Sequence, residues 1–143
     1  MIKKLGLCFA IVGLLAGCAA NTTHTAKNSL SWGGVYQGVL PCADCEGIKT
    51  TLVLNYDGTF SLSEEYKKGL MTFLPQAVEG NIIWDEQNPS LIILGDNVTS
   101  RVYFVGENYI RAYGMDKQPI QSSLNYTLNQ IEHFDANKVV NPQ

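Results

Sequence analysis

From Trp32 onward the chain is interrupted every few residues by turn-forming pairs, and no segment of ten residues between them carries the apolar period of an amphipathic helix. The segments between turns alternate apolar and polar residues or run apolar over a short length, which predicts strands. The first strand covers residues 32–40, where Gly33, Gly34 and Gly38 permit bending or close backbone approach. The second covers 49–56, with Leu52 and Leu54 on one face and Thr51 and Val53 on the other. Asp57-Gly58 then turns the chain into a strand over 59–66, whose Phe60 and Leu62 face the core. Further strands are predicted at 79–84, at 91–94 after the Asn88-Pro89 turn, and at 101–105 and 109–113 across Gly106-Glu107-Asn108. Leu91 to Leu94 is apolar on both faces and suits a central position. Gly95-Asp96-Asn97 supplies another turn, and 124–128 provides a closing strand. Around Met71, Phe73 and Leu74 the pattern fits either a short strand or an apolar flap over one end. About eight strands result, and an antiparallel meander of that number removes its open edges by curling into a small all-β barrel. If Leu52, Leu54, Phe60, Leu62, Ile82, Trp84 and Phe104 fill its interior, no void is left for a ligand.

Ahead of that domain, Met1-Ile2-Lys3-Lys4 is a short basic start, and Leu5 to Leu15 is an apolar run too short to span a bilayer as a helix. This is the pattern of an export signal, expected over residues 1–17. It ends in Leu15-Ala16-Gly17-Cys18, which resembles a bacterial lipobox. The resemblance implies cleavage before Cys18 and acylation of that residue by palmitate-type chains, and more than one buried acyl chain gives stable anchoring. Ala19 follows, whereas aspartate there goes with retention at the inner membrane, so the resemblance implies the outer membrane with the domain facing the periplasm. Residues 18–31, rich in Ala, Asn and Thr, read as a flexible tether of up to roughly 40 Å. The barrel domain is expected over 32–134 and a polar tail over 135–143. With 143 residues only one such domain fits, and 45% hydrophobic against 16% charged residues favours a folded globule over a disordered chain.

Cys8 leaves with the leader, so Cys42 and Cys45 remain as a CxxC pair in an oxidising compartment. Two sulfurs at this spacing can close a disulfide, exchange electrons with another thiol or bind a thiophilic metal. Redox exchange needs a depressed thiol pKa, and Asp44 and Glu46 beside the sulfurs act the other way. A disulfide is the default state, fixing a loop rather than holding the fold. Cu(I) binding by two thiolates, with Met71 or Met115 adding thioethers, is the alternative.

The run Gly38-Val39-Leu40-Pro41-Cys42-Ala43-Asp44-Cys45-Glu46-Gly47-Ile48, followed by Thr50, Leu52 and Leu54, resembles the amino-terminal domain of the NlpE-like copper-resistance lipoproteins. That resemblance implies a lipocalin-like barrel, a non-enzymatic part in envelope or surface stress sensing and copper tolerance, and a partner in the sensor kinase of the Cpx system. Two other readings remain open beside it: a carrier holding a small hydrophobic ligand in the barrel, and direct Cu(I) sequestration by Cys42 and Cys45.

Nucleic acid is excluded as a partner by charge. The formal net charge of −3 falls to about −5 once Lys3 and Lys4 are removed, and no basic patch is visible. His133, with Glu132 and Asp135 beside it, lacks any matching nucleophile motif and reads as polar tail, so no catalytic residue is assigned. His24 reads as a solvated polar residue of the tether. Seven tyrosines read as packing residues, and Arg101 and Arg111 are placed to meet across their hairpin or to pair with carboxylates or an acidic ligand.

Overall fold

Antiparallel pairing runs unbroken around the sheet. The computed structural model describes residues 23–73, 77–95 and 100–138; the leader, Cys18, Leu74, Asp96, Asn97 and residues 139–143 lie outside these. The strands are β1 (Gly34–Leu40), β2 (Gly47–Leu54), β3 (Thr59–Lys68), β4 (Met71–Phe73), β5 (Val78–Trp84), β6 (Leu91–Leu94), β7 (Arg101–Gly106), β8 (Tyr109–Tyr113) and β9 (Thr127–His133). Taking β4 aside, each pairs with its successor and β9 returns to β1, which closes an eight-stranded barrel. The all-β, antiparallel barrel expected from the turn pattern is therefore the fold.

Strand β4 belongs to the same arm as β5. Along β3, β5 sits against Thr59–Leu62 and β4 against Tyr66–Lys68, while β2 occupies the opposite edge throughout. The ambiguous stretch around Met71 is thus a short strand, part of a hairpin that rises above the barrel wall.

Inward positions carry Tyr36, Leu52, Leu54, Ile92, Ile110 and Leu128, all fully buried, with Phe60, Leu62, Leu94, Tyr103 and Val105. Ile82 and Trp84 pack against this cluster from half-buried positions. Phe104 does not join it. Along β7 the inward set is Tyr103 and Val105, so Phe104 takes the outer face and stacks on Tyr113 at 5.7 Å. Two glycines of β1 are required by β9: a Cβ on Gly34 would lie 2.0 Å from the Glu132 carbonyl oxygen, and one on Gly38 2.8 Å from that of Thr127.

The end where the chain enters is closed. Thr25 caps a single helical turn, α1 (Ala26–Ser29), by accepting from the Asn28 amide, and Ala26 is buried. Trp32 donates from Nε1 to the Lys27 carbonyl at 3.0 Å and sets its ring edge against Tyr56 and Trp84, at 4.7 and 5.4 Å. The hydroxyl of buried Tyr36 donates to the Trp32 carbonyl at 2.8 Å, and burial raises its pKa further. These contacts correct the expected tether over 18–31, because its carboxy-terminal part is docked on the barrel. Between Cys18 and Thr25 lie seven peptide units, a span of at most about 25 Å.

The first and last strands also differ from expectation. β1 starts at Gly34, since Trp32 has turned to plug the barrel end. β9 runs from Thr127 to His133 and not over 124–128. Its inner residue Gln130 is polar because its Nε2 donates to the Ser31 and Gly33 carbonyls, tying β9 to the entering chain.

Candidate functional site

The opposite end of the barrel is about 20 Å away along β1, at the usual rise per strand residue. There β1 ends at Leu40 and β2 begins at Gly47, and the loop between them is closed by a Cys42–Cys45 disulfide with S–S 2.03 Å and Cα–Cα 5.3 Å. The Glu46 amide donates to the Lys67 carbonyl at 3.0 Å, which fastens the loop to the end of β3. Lys67 lies 3.6 Å from Glu46 and Lys68 3.4 Å from Asp44. Sequence neighbours showed only the two acids; the lysines arrive through the β2–β3 register, which places Lys67 opposite Gly47. Both pairs are exposed and each contributes little, so the clip and the backbone bond set the loop. An open cleft of about 310 Å³ lined by Ala43, Asp44, Cys45, Glu46, Lys68 and Gly69 leaves this loop accessible.

In this oxidised form the pair offers no thiolate for Cu(I). Met71 and Met115 sit on β4 and in the β8–β9 connection, each 67% exposed. Among the described residues no group of three or more His, Cys, Asp or Glu is assembled. The arrangement does not fit a copper centre while the disulfide is closed.

Inside the mouth, sequence reasoning missed an ion pair. Glu64, an inward residue of β3, accepts from Arg101 Nη2 at 3.0 Å and from the Tyr66 hydroxyl at 3.2 Å. Burial opposes the charge on Arg101, but the hydrogen bond and charge of Glu64 outweigh it and its pKa rises. Burial and then Glu64 raise the pKa of Tyr66, and the same causes raise that of Tyr103, which is 1% exposed. The signal for this pair was parity: Glu64 continues the inward alternation of Phe60 and Leu62. Two clefts share Glu64 and Arg101 as their common wall. One, about 170 Å³, is lined otherwise by Phe60, Leu62, Val78, Leu94 and Gly95. The other, about 260 Å³, extends past Leu40, Tyr103 and Ala112 to Met115.

Arg101 and Arg111 do not meet. Arg111 alternates with inward Ile110 and Ala112, so it lies on the outer wall opposite Phe104, and its Nε has no hydrogen-bond partner. Lys117, in the connection after β8, pairs with Asp85 at the end of β5, which draws this connection across the outside of β6 and β7. Asp85 also accepts from the Gln87 and Asn88 amides. His24 and His133 are both exposed, the latter as the last residue of β9.

Comparison with known proteins follows the same elements. The family described as the NlpE N-terminal domain matches residues 36–123, from Tyr36 through the clipped loop to the connection after β8. Lipoprotein NlpE of Escherichia coli (strain K12) is 32% identical over 97 residues, covering 68% of this chain and 40% of that protein. The 17 kDa lipoprotein of Treponema pallidum (strain Nichols) is 59% identical over 27 residues, 19% of this chain and 17% of its own length. The chain therefore spans well under half of these two relatives. Among solved structures, a lipoprotein from Shewanella oneidensis aligns with a TM-score of 0.67 at 40% identity, covering 75% of this chain and 95% of that one. The Cpx pathway activator NlpE from Escherichia coli aligns with a TM-score of 0.51 at 31% identity, over 65% and 48% respectively. By sequence and by barrel, the chain belongs to the NlpE N-terminal domain family.

Proposed function

We propose that this chain is a non-enzymatic envelope lipoprotein that reports stress to a Cpx-type sensor kinase in the inner membrane. Acyl groups on Cys18 hold it to the outer membrane, with the barrel in the periplasm. The family supports the reading, since one relative is described as a Cpx pathway activator. The observation that carries it is polarity: the chain enters at the end closed by Trp32, while the clipped loop stands at the other. Val39, Tyr66, Leu70, Met71 and Met115 are exposed on elements that end toward that far rim, while Ile83, Leu124 and Ile131 are exposed elsewhere. Apolar groups left at one end of a small domain are suited to contact with another protein.

Copper tolerance fits the same role without a copper ligand. Copper mispairs cysteines of other envelope proteins, and a lipoprotein that raises the stress response then protects indirectly.

The test is overproduction of the chain in cells carrying a Cpx-dependent reporter, beside an Ala19→Asp form designed to remain at the inner membrane. Both are expected to raise the reporter, the second more strongly at equal abundance. A silent reporter in both strains overturns the signalling role.

A further inference from the structure

At the mouth of the barrel, above the packed cluster of Tyr36, Leu52, Leu54 and their neighbours, two clefts meet at Glu64 and Arg101. We propose that this mouth binds a short-chain carboxylate amphiphile, with its headgroup on Arg101 and its tail against Phe60, Leu62 and Leu94.

The charges choose the sign of the headgroup. The Glu64 side chain is 16% exposed and is held from two sides by Tyr66 and Arg101, whereas the Arg101 side chain is 46% exposed. An entering group therefore meets the guanidinium before the carboxylate. Arginine carries five donors in a planar fork, and the bond to Glu64 engages Nη2, so a second carboxylate can be taken beside the first. A cationic headgroup finds its counter-charge already bonded and recessed.

The cleft then sets the tail. Apart from Glu64 and Arg101, its walls are the apolar side chains of Phe60, Leu62, Val78 and Leu94, with Gly95 at the edge. At about 170 Å³ it is close to the size of a Leu/Ile/Phe-lined cavity that accepts benzene, so it suits a short apolar tail. Long acyl chains and drug-sized molecules exceed it. Glu64 enters the site as a competitor for the same arginine, so removing its charge strengthens binding of the anion.

Isothermal titration of the full mature chain, carrying Cys18→Ser so that it stays in solution, tests the site with octanoate, octan-1-ol and octyltrimethylammonium. Octanoate is expected to bind at one equivalent and both other probes at least about tenfold more weakly, the worth of one hydrogen bond to a charged group. Arg101→Gln weakens octanoate by about 10- to 100-fold by the same measure, and Glu64→Gln tightens it. Should Arg101→Gln fail to fold, the Glu64→Gln, Arg101→Gln double variant replaces it, because it leaves no unpaired charge in the mouth. Equal binding of octanoate and octanol, absence of octanoate binding to the folded chain, or octanoate binding that survives loss of Arg101 overturns the site. The outcome is independent of the Cpx reporter, since this site rests on the mouth alone.

Discussion

Replacing Cys42 and Cys45 by serine together removes a link between residues three apart in sequence. Loop-closure entropy for so short a ring amounts to about 2 kcal/mol. Little else is lost with it. The Lys67–Glu46 and Lys68–Asp44 pairs are exposed and survive the change, and the Glu46–Lys67 backbone bond needs no sulfur. For a domain of this size the expected fall in Tm is about 10 °C, with the barrel still folded at 25 °C. Thermal melts by circular dichroism, on the oxidised, reduced and doubly substituted chains, measure it. Amide exchange should quicken at residues 41–47 and at the adjoining ends of β1 and β2, while β6, β7 and β8 keep their protection. A chain that unfolds at 25 °C, or exchange that quickens evenly around the barrel, refutes the view that the clip fixes a loop and not the fold.

At the closed end, Trp32→Ala is expected to cost about 3–5 kcal/mol, since the 4% exposed indole is the plug between Tyr56 and Trp84. Trypsin should then cut after Lys27 faster than in the unaltered chain; unchanged cleavage would mean that α1 is not held by the indole. The second expectation concerns acid. Lys117 and the Asn88 and Gln87 amides hold the Asp85 carboxyl below the usual aspartate range. The unfolded chain then takes up the proton first, so this stabilisation is present above about pH 4 and disappears as pH falls through the lower folded pKa. Asp57, held down by its bonds from Thr59, adds in the same direction. Lys117→Met should flatten the acid limb of stability against pH, and an unchanged limb would remove Asp85 as its source.

The strands that were legible in the sequence are those whose alternation is apolar. Leu52, Leu54, Phe60 and Leu62 flank Asp57-Gly58, and the β2–β3 hairpin follows from them. Parity failed at β7, where Val102, Tyr103, Phe104 and Val105 are all apolar and either face could be the inner one. The decision came from outside the strand: the connection after β8 crosses the outer wall, so that Val102 and Phe104 also have cover. β9 was misplaced for the opposite reason. Its sequence Asn129-Gln130-Ile131-Glu132-His133 looks solvated, and its place in the barrel depends on Gln130 reaching Ser31 and Gly33, which are distant in the chain. The clipped loop was legible as a motif, but its lysine partners and the Glu64–Arg101 pair exist only through register.

A barrel without free edges in its wall, with Tyr36, Leu52, Leu54 and their neighbours packed together inside it, has few cheap ways to change shape. Under the proposed role, this makes a stress signal carried by position more economical than one carried by conformation. The reach from Cys18 to Thr25 is at most about 25 Å, and the barrel adds about 20 Å. A rim carried on so short an arm meets only what lies near its own membrane. Failed transport, or overproduction beyond the capacity of transport, would shift the same rigid surface to the inner membrane and raise its effective concentration there without altering a single contact within it. On this argument, substitutions inside the barrel should change abundance more than signalling per molecule, whereas Leu70, Met71 and Tyr66 at the rim should do the reverse.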